Sequence, residues 1–140
     1  MSHAYAAGLQ AKVYQRLIGD PMLSVLVGGA IYDAPLEPAL GAAGPDYISL
    51  GEETVRPYDT KTSAGAIHDF TVTVHSGADG FAAAKEMAAA VCDCLIDAPL
   101  ALEAGRLVSL RFLRAGAERG PAPEKRKVTL RFRALVDQDN

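Results

Sequence analysis

Ala66-Ile67-His68-Asp69-Phe70-Thr71-Val72-Thr73-Val74-His75-Ser76 decides how this chain folds. Apolar and polar residues alternate along it: Phe70, Val72 and Val74 share one side, and Asp69, Thr71, Thr73 and His75 share the other. A period of two predicts a strand with one face in a core and the other open to water or to a partner. Gly77 and Gly80 then mark a turn, with Asp79 as candidate N-cap, and a helix is predicted over 81–95 with a stripe of Phe81, Ala84, Ala88, Val91 and Leu95.

Two further alternating stretches lie downstream. In the first, Val108, Leu110 and Phe112 are expected inward, opposite Ser109, Arg111 and Leu113; in the second, Val128, Leu130, Phe132 and Ala134 are expected inward, opposite Thr129, Arg131, Arg133 and Leu135. Upstream, Tyr5, Leu9, Val13 and Leu17 form a helical stripe over 4–18 that ends at Gly19. Asp20-Pro21 is an N-cap followed by proline at the first helical position, and Gly28-Gly29 closes that second helix. Ala30-Ile31-Tyr32 suggests a short extended piece, residues 35–45 are too rich in Pro and Gly for regular structure, and Tyr47-Ile48-Ser49-Leu50 is a short strand. The fold class expected is α+β: a mostly antiparallel sheet of about four strands with helices on one face. Residues 1–140 form one domain, with flexible loops at 52–65 and 114–127.

Composition narrows the function. The chain has 140 residues and 49% apolar residues, a share inflated by alanine runs such as Ala82-Ala83-Ala84, so the core is modest. The net charge of −3 opposes general nucleic-acid affinity. The basic residues nevertheless crowd the last quarter, from Arg106 through Arg111, Arg114, Arg119 and Lys125 to Arg133. No stretch is long and apolar enough to span a bilayer, and the first residues lack the pattern of a signal peptide, so synthesis and folding in a reducing, soluble compartment are expected.

No catalytic constellation emerges. His68 and His75 are an odd number of residues apart on one strand and project to opposite faces, so they cannot share an ion; His3 sits near the terminus. Cys92 and Cys94 form a lone pair with no second ligand cluster and are read as small apolar helix residues. Glu52, Glu53 and Asp59 are read as solvent-facing loop carboxylates, and no nucleophile elbow, zinc-protease helix or Walker loop occurs. Neither an enzyme nor any cofactor or metal is expected. What stands out is the outward sheet face, a collection of threonines, histidine and arginines suited either to water or to a neighbouring subunit.

The ordered set Ile31 to Pro35, Asp46-Tyr47-Ile48-Ser49-Leu50-Gly51-Glu52, Asp59-Thr60-Lys61-Thr62, Val74-His75-Ser76, the helix to Leu95 and the closing strand pair resembles the tail terminator, or tail-completion, proteins of siphophages and gene transfer agents over about residues 9–136. That resemblance implies a structural subunit, with no catalytic residues, forming a hexameric ring on the head-proximal end of the tail tube. The ring would halt tube polymerisation and join a head-side connector or stopper protein, with DNA passing through its channel and no membrane involved. It implies residence in a virion or gene transfer agent particle assembled in the bacterial cytoplasm. Candidate contacts with the tube or a neighbouring copy are Tyr47, Glu52, Arg56, Asp59 and Lys61, and candidate lumen or interface arginines are Arg111, Arg131 and Arg133. The competing readings are a head–tail stopper or other minor tail protein, and a nucleic-acid-binding module built on the basic last quarter.

Overall fold

The computed structural model describes residues 6–33, 46–59, 64–78, 80–119 and 126–137. The chain order is α1 (Ala6–Ile18), α2 (Pro21–Val27), β1 (Ile31–Tyr32), β2 (Tyr47–Pro57), β3 (Gly65–Ser76), α3 (Ala82–Leu95), β4 (Arg106–Arg119) and β5 (Arg126–Asp137). The strands form one sheet in the order β1-β2-β3-β5-β4, antiparallel except for the short parallel β1–β2 contact. The α+β expectation holds, with β1 as a fifth strand. His3, residues 35–45, Lys61 and the proposed cap Asp79 lie outside the described residues.

The helices form where the sequence gives them both a stripe and an end. α1 buries Leu9, Val13 and Leu17 at the spacing of one helical face. Asp20 caps α2 by accepting from the Leu23 amide at 3.0 Å, Pro21 opens it, and Gly28 closes it at φ +61°, a backbone conformation that glycine adopts without a Cβ penalty. α3 starts at Ala82, one residue later than expected. Phe81 stays half-buried beneath two cations, Lys85 at 5.9 Å and Arg126 at 5.0 Å from its ring centre.

All three helices contribute to one core with the same face of the sheet: Leu17, Leu23, Val91 and Leu95 meet Ile48, Val72, Leu110, Leu130 and Phe132. Alanines at 84, 88 and 90 keep α3 near the strands. α1 and α3 are also tied at their last turns by a reciprocal pair of bonds. Arg16 Nε donates to the Cys94 carbonyl at 3.2 Å, and Cys94 Sγ donates to the Arg16 carbonyl at 3.5 Å. Both cysteines are free thiols, and burial raises the pKa of each.

The edges of the sheet depart from expectation. β2 continues past Leu50 through Pro57, so residues 52–57 of the expected loop are strand. The register shifts between Leu50 and Glu53, with Gly51 close against Thr71. β4 likewise runs to Arg119, and β5 begins at Arg126, so residues 114–119 and 126–127 of the expected loop are strand. In both places backbone pairing to the inner neighbour holds the strand; beyond Leu110 β4 is exposed on both faces, and beyond Leu50 only Glu53 and Val55 of β2 are even half-buried. Val108 is also not inward: a register shift between Leu107 and Ser109 leaves it 43% exposed.

Candidate interaction surface

The face of the sheet turned away from the helices is built by register. Across β3, β5 and β4 the rows are Asp69, Arg133 and Arg111; Thr71, Arg131 and Arg114; Thr73, Thr129 and Gly116; and His75, Lys127 and Glu118. β2 adds Tyr47 opposite His75, Ser49 opposite Thr73, and Thr54 opposite Asp69. Directly opposed residues of antiparallel strands share a face, so these rows form one polar surface. An open trough of about 650 Å³ crosses it, lined on the β2 side by Ser49 and Glu52, at its centre by Thr73 and Thr129, and on the far side by Arg114 and Arg131.

Arg111, Arg131 and Arg133 therefore do meet on one face, but they are not equivalent. Arg133 grips Asp69 through two hydrogen bonds, Nε at 2.8 Å and Nη2 at 2.9 Å, the planar fork that matches guanidinium to carboxylate. Arg131 reaches only the Thr71 hydroxyl, at 3.5 Å, and no carboxylate among the described residues lies within ion-pair distance of Arg111, Arg114 or Arg131. The charge of Arg133 is thus matched inside the chain, and that of Lys127 is matched weakly by Glu118 at 3.4 Å.

The Arg133 hydrogen bonds hold the Asp69 carboxyl below its ordinary value of 3.8; burial opposes this, and the charges of Arg133, Arg131 and Arg56 reinforce it. A carboxylate with a lower pKa folded than unfolded adds stability above its unfolded pKa, and this is lost as pH falls through the folded value. Thermal stability is therefore expected to drop on acidification below about pH 4, with a shallower acid limb in Asp69→Asn. Melting curves of the two proteins between neutral and strongly acidic pH check this; superimposable acid limbs would remove Asp69 from the account.

The other candidate contacts are scattered. Tyr47 is only 6% exposed: its ring stacks on His75 at 4.1 Å, and His75 Nε2 is 2.8 Å from Ser49 Oγ, so the cluster fastens β2 to β3. Glu52 is exposed at the register shift and lines the trough, Arg56 is exposed further along β2, and Asp59 is exposed beyond it. His68 projects to the opposite face from His75, as its parity requires, and lies 3.2 Å from Glu53. No group of three or more His, Cys, Asp or Glu residues that could hold a metal occurs among the described residues.

Asp69 and Arg114 are the contributors that sequence reasoning left out of the site. Asp69 becomes visible only when β3 and β5 are aligned, because its partner lies 64 positions away. Arg114 joins the face because a register shift between Phe112 and Arg114 sets it opposite Arg131.

The family model for the tail completion protein gp17 matches residues 11–137. Among solved structures, a chain of the virion of a native gene transfer agent (GTA) particle is 51% identical and superimposes with a TM-score of 0.85, covering 97% of this chain and 99% of that one. Among curated proteins none matches. The family match takes in every strand of the sheet, and the chain belongs to the tail completion protein gp17 family, structural proteins of phage-like tails.

Proposed function

We propose that this chain is the tail terminator of a phage-like or gene transfer agent particle. Copies of it close into a ring, a hexamer, at the head-proximal end of the tail tube, stop the tube growing and offer a surface to the head-side connector. The observation that carries this reading is the likeness, over nearly the whole of both chains, to a chain of a native gene transfer agent virion. The polar sheet face supports it, since a ring around a DNA channel needs surfaces that are ordered and wettable at once. Contacts that use arginine, with a neighbouring copy, the tube or passing DNA, fall to Arg111 and Arg131, because Asp69 already neutralises Arg133.

A ring of identical subunits needs heterologous contacts whose rotation closes, and closure is what makes it a cap instead of a filament. Deleting the gene is expected to give tails of uncontrolled length that carry no heads, and restoring the chain in trans is expected to restore uniform tails. Electron microscopy of lysates reads both outcomes. Headless tails of normal length would favour the stopper reading, and a single copy at the joint in the particle would exclude a ring.

A further inference from the structure

Among the described residues, both borders of the sheet are bare over long stretches. β4 is an outer strand, and its residues 111–119 are exposed without interruption, including Phe112 at 40% and Leu113 at 37%. From Arg114 to Arg119 its pairing with β5 is regular, so its outer amides and carbonyls form an even row. At the other border, β1 covers β2 only at Ile48 and Ser49. Among the described residues no strand lies outside β2 from Gly51 to Pro57. That leaves roughly 20 Å of unpaired backbone on each border at about 3.3 Å per residue. Soluble proteins usually blunt such edges, because an open ladder recruits another strand.

We infer that these two borders are made for each other: β4 of one copy pairs with the 51–57 stretch of β2 in the next. This rests on the ring reading above and supplies its joint. Two observations select a second copy as the occupant. β2 is antiparallel to β3, β3 to β5 and β5 to β4, so β2 and β4 run in opposite directions. Laying β4 beside β2 of a copy facing the same way therefore gives an antiparallel ladder, and the up–down alternation runs on across the joint. The same placement keeps the polar faces continuous, with Arg111 and Arg114 on one side of the joint and Thr54 and Arg56 on the other. Because two different borders join, the contact is head-to-tail and can propagate around a ring.

Hydrogen exchange on the unmodified chain, free and in purified particles, tests the inference without risk to folding. Assembly is expected to slow exchange at least about tenfold in both 51–57 and 114–119, as new ladder bonds form. Slowing in 114–119 alone would mean that a strand of another tail protein occupies β4, and slowing in neither would mean the borders stay open; each result overturns the pairing. A cysteine panel in assembled particles gives a second readout. Oxidation is expected to link copies into ladders when Ala115→Cys or Ala117→Cys is combined with Val55→Cys, which lies on the same face of the continued sheet, and to leave each single variant as monomer. Cross-linked dimers from a single β4 variant would overturn the inference in favour of a two-fold β4–β4 contact. Copy number at the joint, counted in the same particles, separates the two ideas: a ring with unprotected borders sinks the edge pairing alone, and a single copy sinks the ring.

Discussion

Phe132→Ala is expected to destabilise the fold by about 3–5 kcal/mol, a large part of the roughly 5–15 kcal/mol that holds a domain together. Phe132 is fully buried at the centre of β5. It stands directly opposite Phe70 on β3 and Phe112 on β4, so three rings lie in one row across three strands. Its ring centre is 5.6 Å from Phe70 in a stacked arrangement and 6.0 Å from Phe112 edge-on. Truncation removes the middle ring and leaves a cavity that paired strands on either side cannot collapse to fill. Phe112→Ala should cost much less, because that side chain is 40% exposed and no described helix covers it. Urea unfolding of the two variants measures the contrast, and equal losses would contradict the placement of Phe132 beneath the helices.

Arg133→Glu is expected to cripple folding, whereas Arg131→Glu should leave the isolated chain folded. The first change sets a carboxylate where a guanidinium now lies 2.8 Å from Asp69, turning a bidentate attraction into repulsion at a site where Asp69 is nearly enclosed. The second removes one contact of 3.5 Å to a hydroxyl. Melting temperature should fall several times further for Arg133→Glu than for Arg131→Glu. Exchanging the partners, Asp69→Arg with Arg133→Asp, should recover a substantial part of the loss, and a double-mutant cycle reads the coupling. No recovery, together with a mild single effect, would mean that the pair contributes little. For the particle the distinction is practical. On the terminator reading, assembly defects from Arg133 variants would report misfolding, whereas variants of Arg111, Arg114 and Arg131 would test the proposed surface.

The legible parts of this fold are those where a second layer writes a pattern into the sequence. β5 alternates in burial because helices cover one side of it, β3 alternates in residue type although both its faces are largely buried, and α2 is delimited by Asp20, Pro21 and Gly28, whose backbone roles are local. The outer halves of β2 and β4 were not legible. Their side chains are exposed or only half-buried, so Glu52-Glu53-Thr54 and Arg114-Ala115-Gly116 have the composition of loops while ladder bonds hold them as strands. The candidate surface was half visible. That Arg111, Arg131 and Arg133 share a face follows from parity alone. That Arg133 is occupied by Asp69 depends on the alignment of strands far apart in sequence, which no short-range signal encodes.

The reciprocal bonds between Arg16 and Cys94 have a mechanical meaning. Each bond ends on a carbonyl in the last turn of a helix, where the backbone has acceptors to spare and carries partial negative charge. Sliding α1 along α3 by one turn would break both bonds together. The helical layer is therefore a locked plate and not a pair of rods free to ratchet, and a load applied to one helix is carried by the other. On the terminator reading proposed above, a part held between the tail tube and the head-side connector would gain from that stiffness.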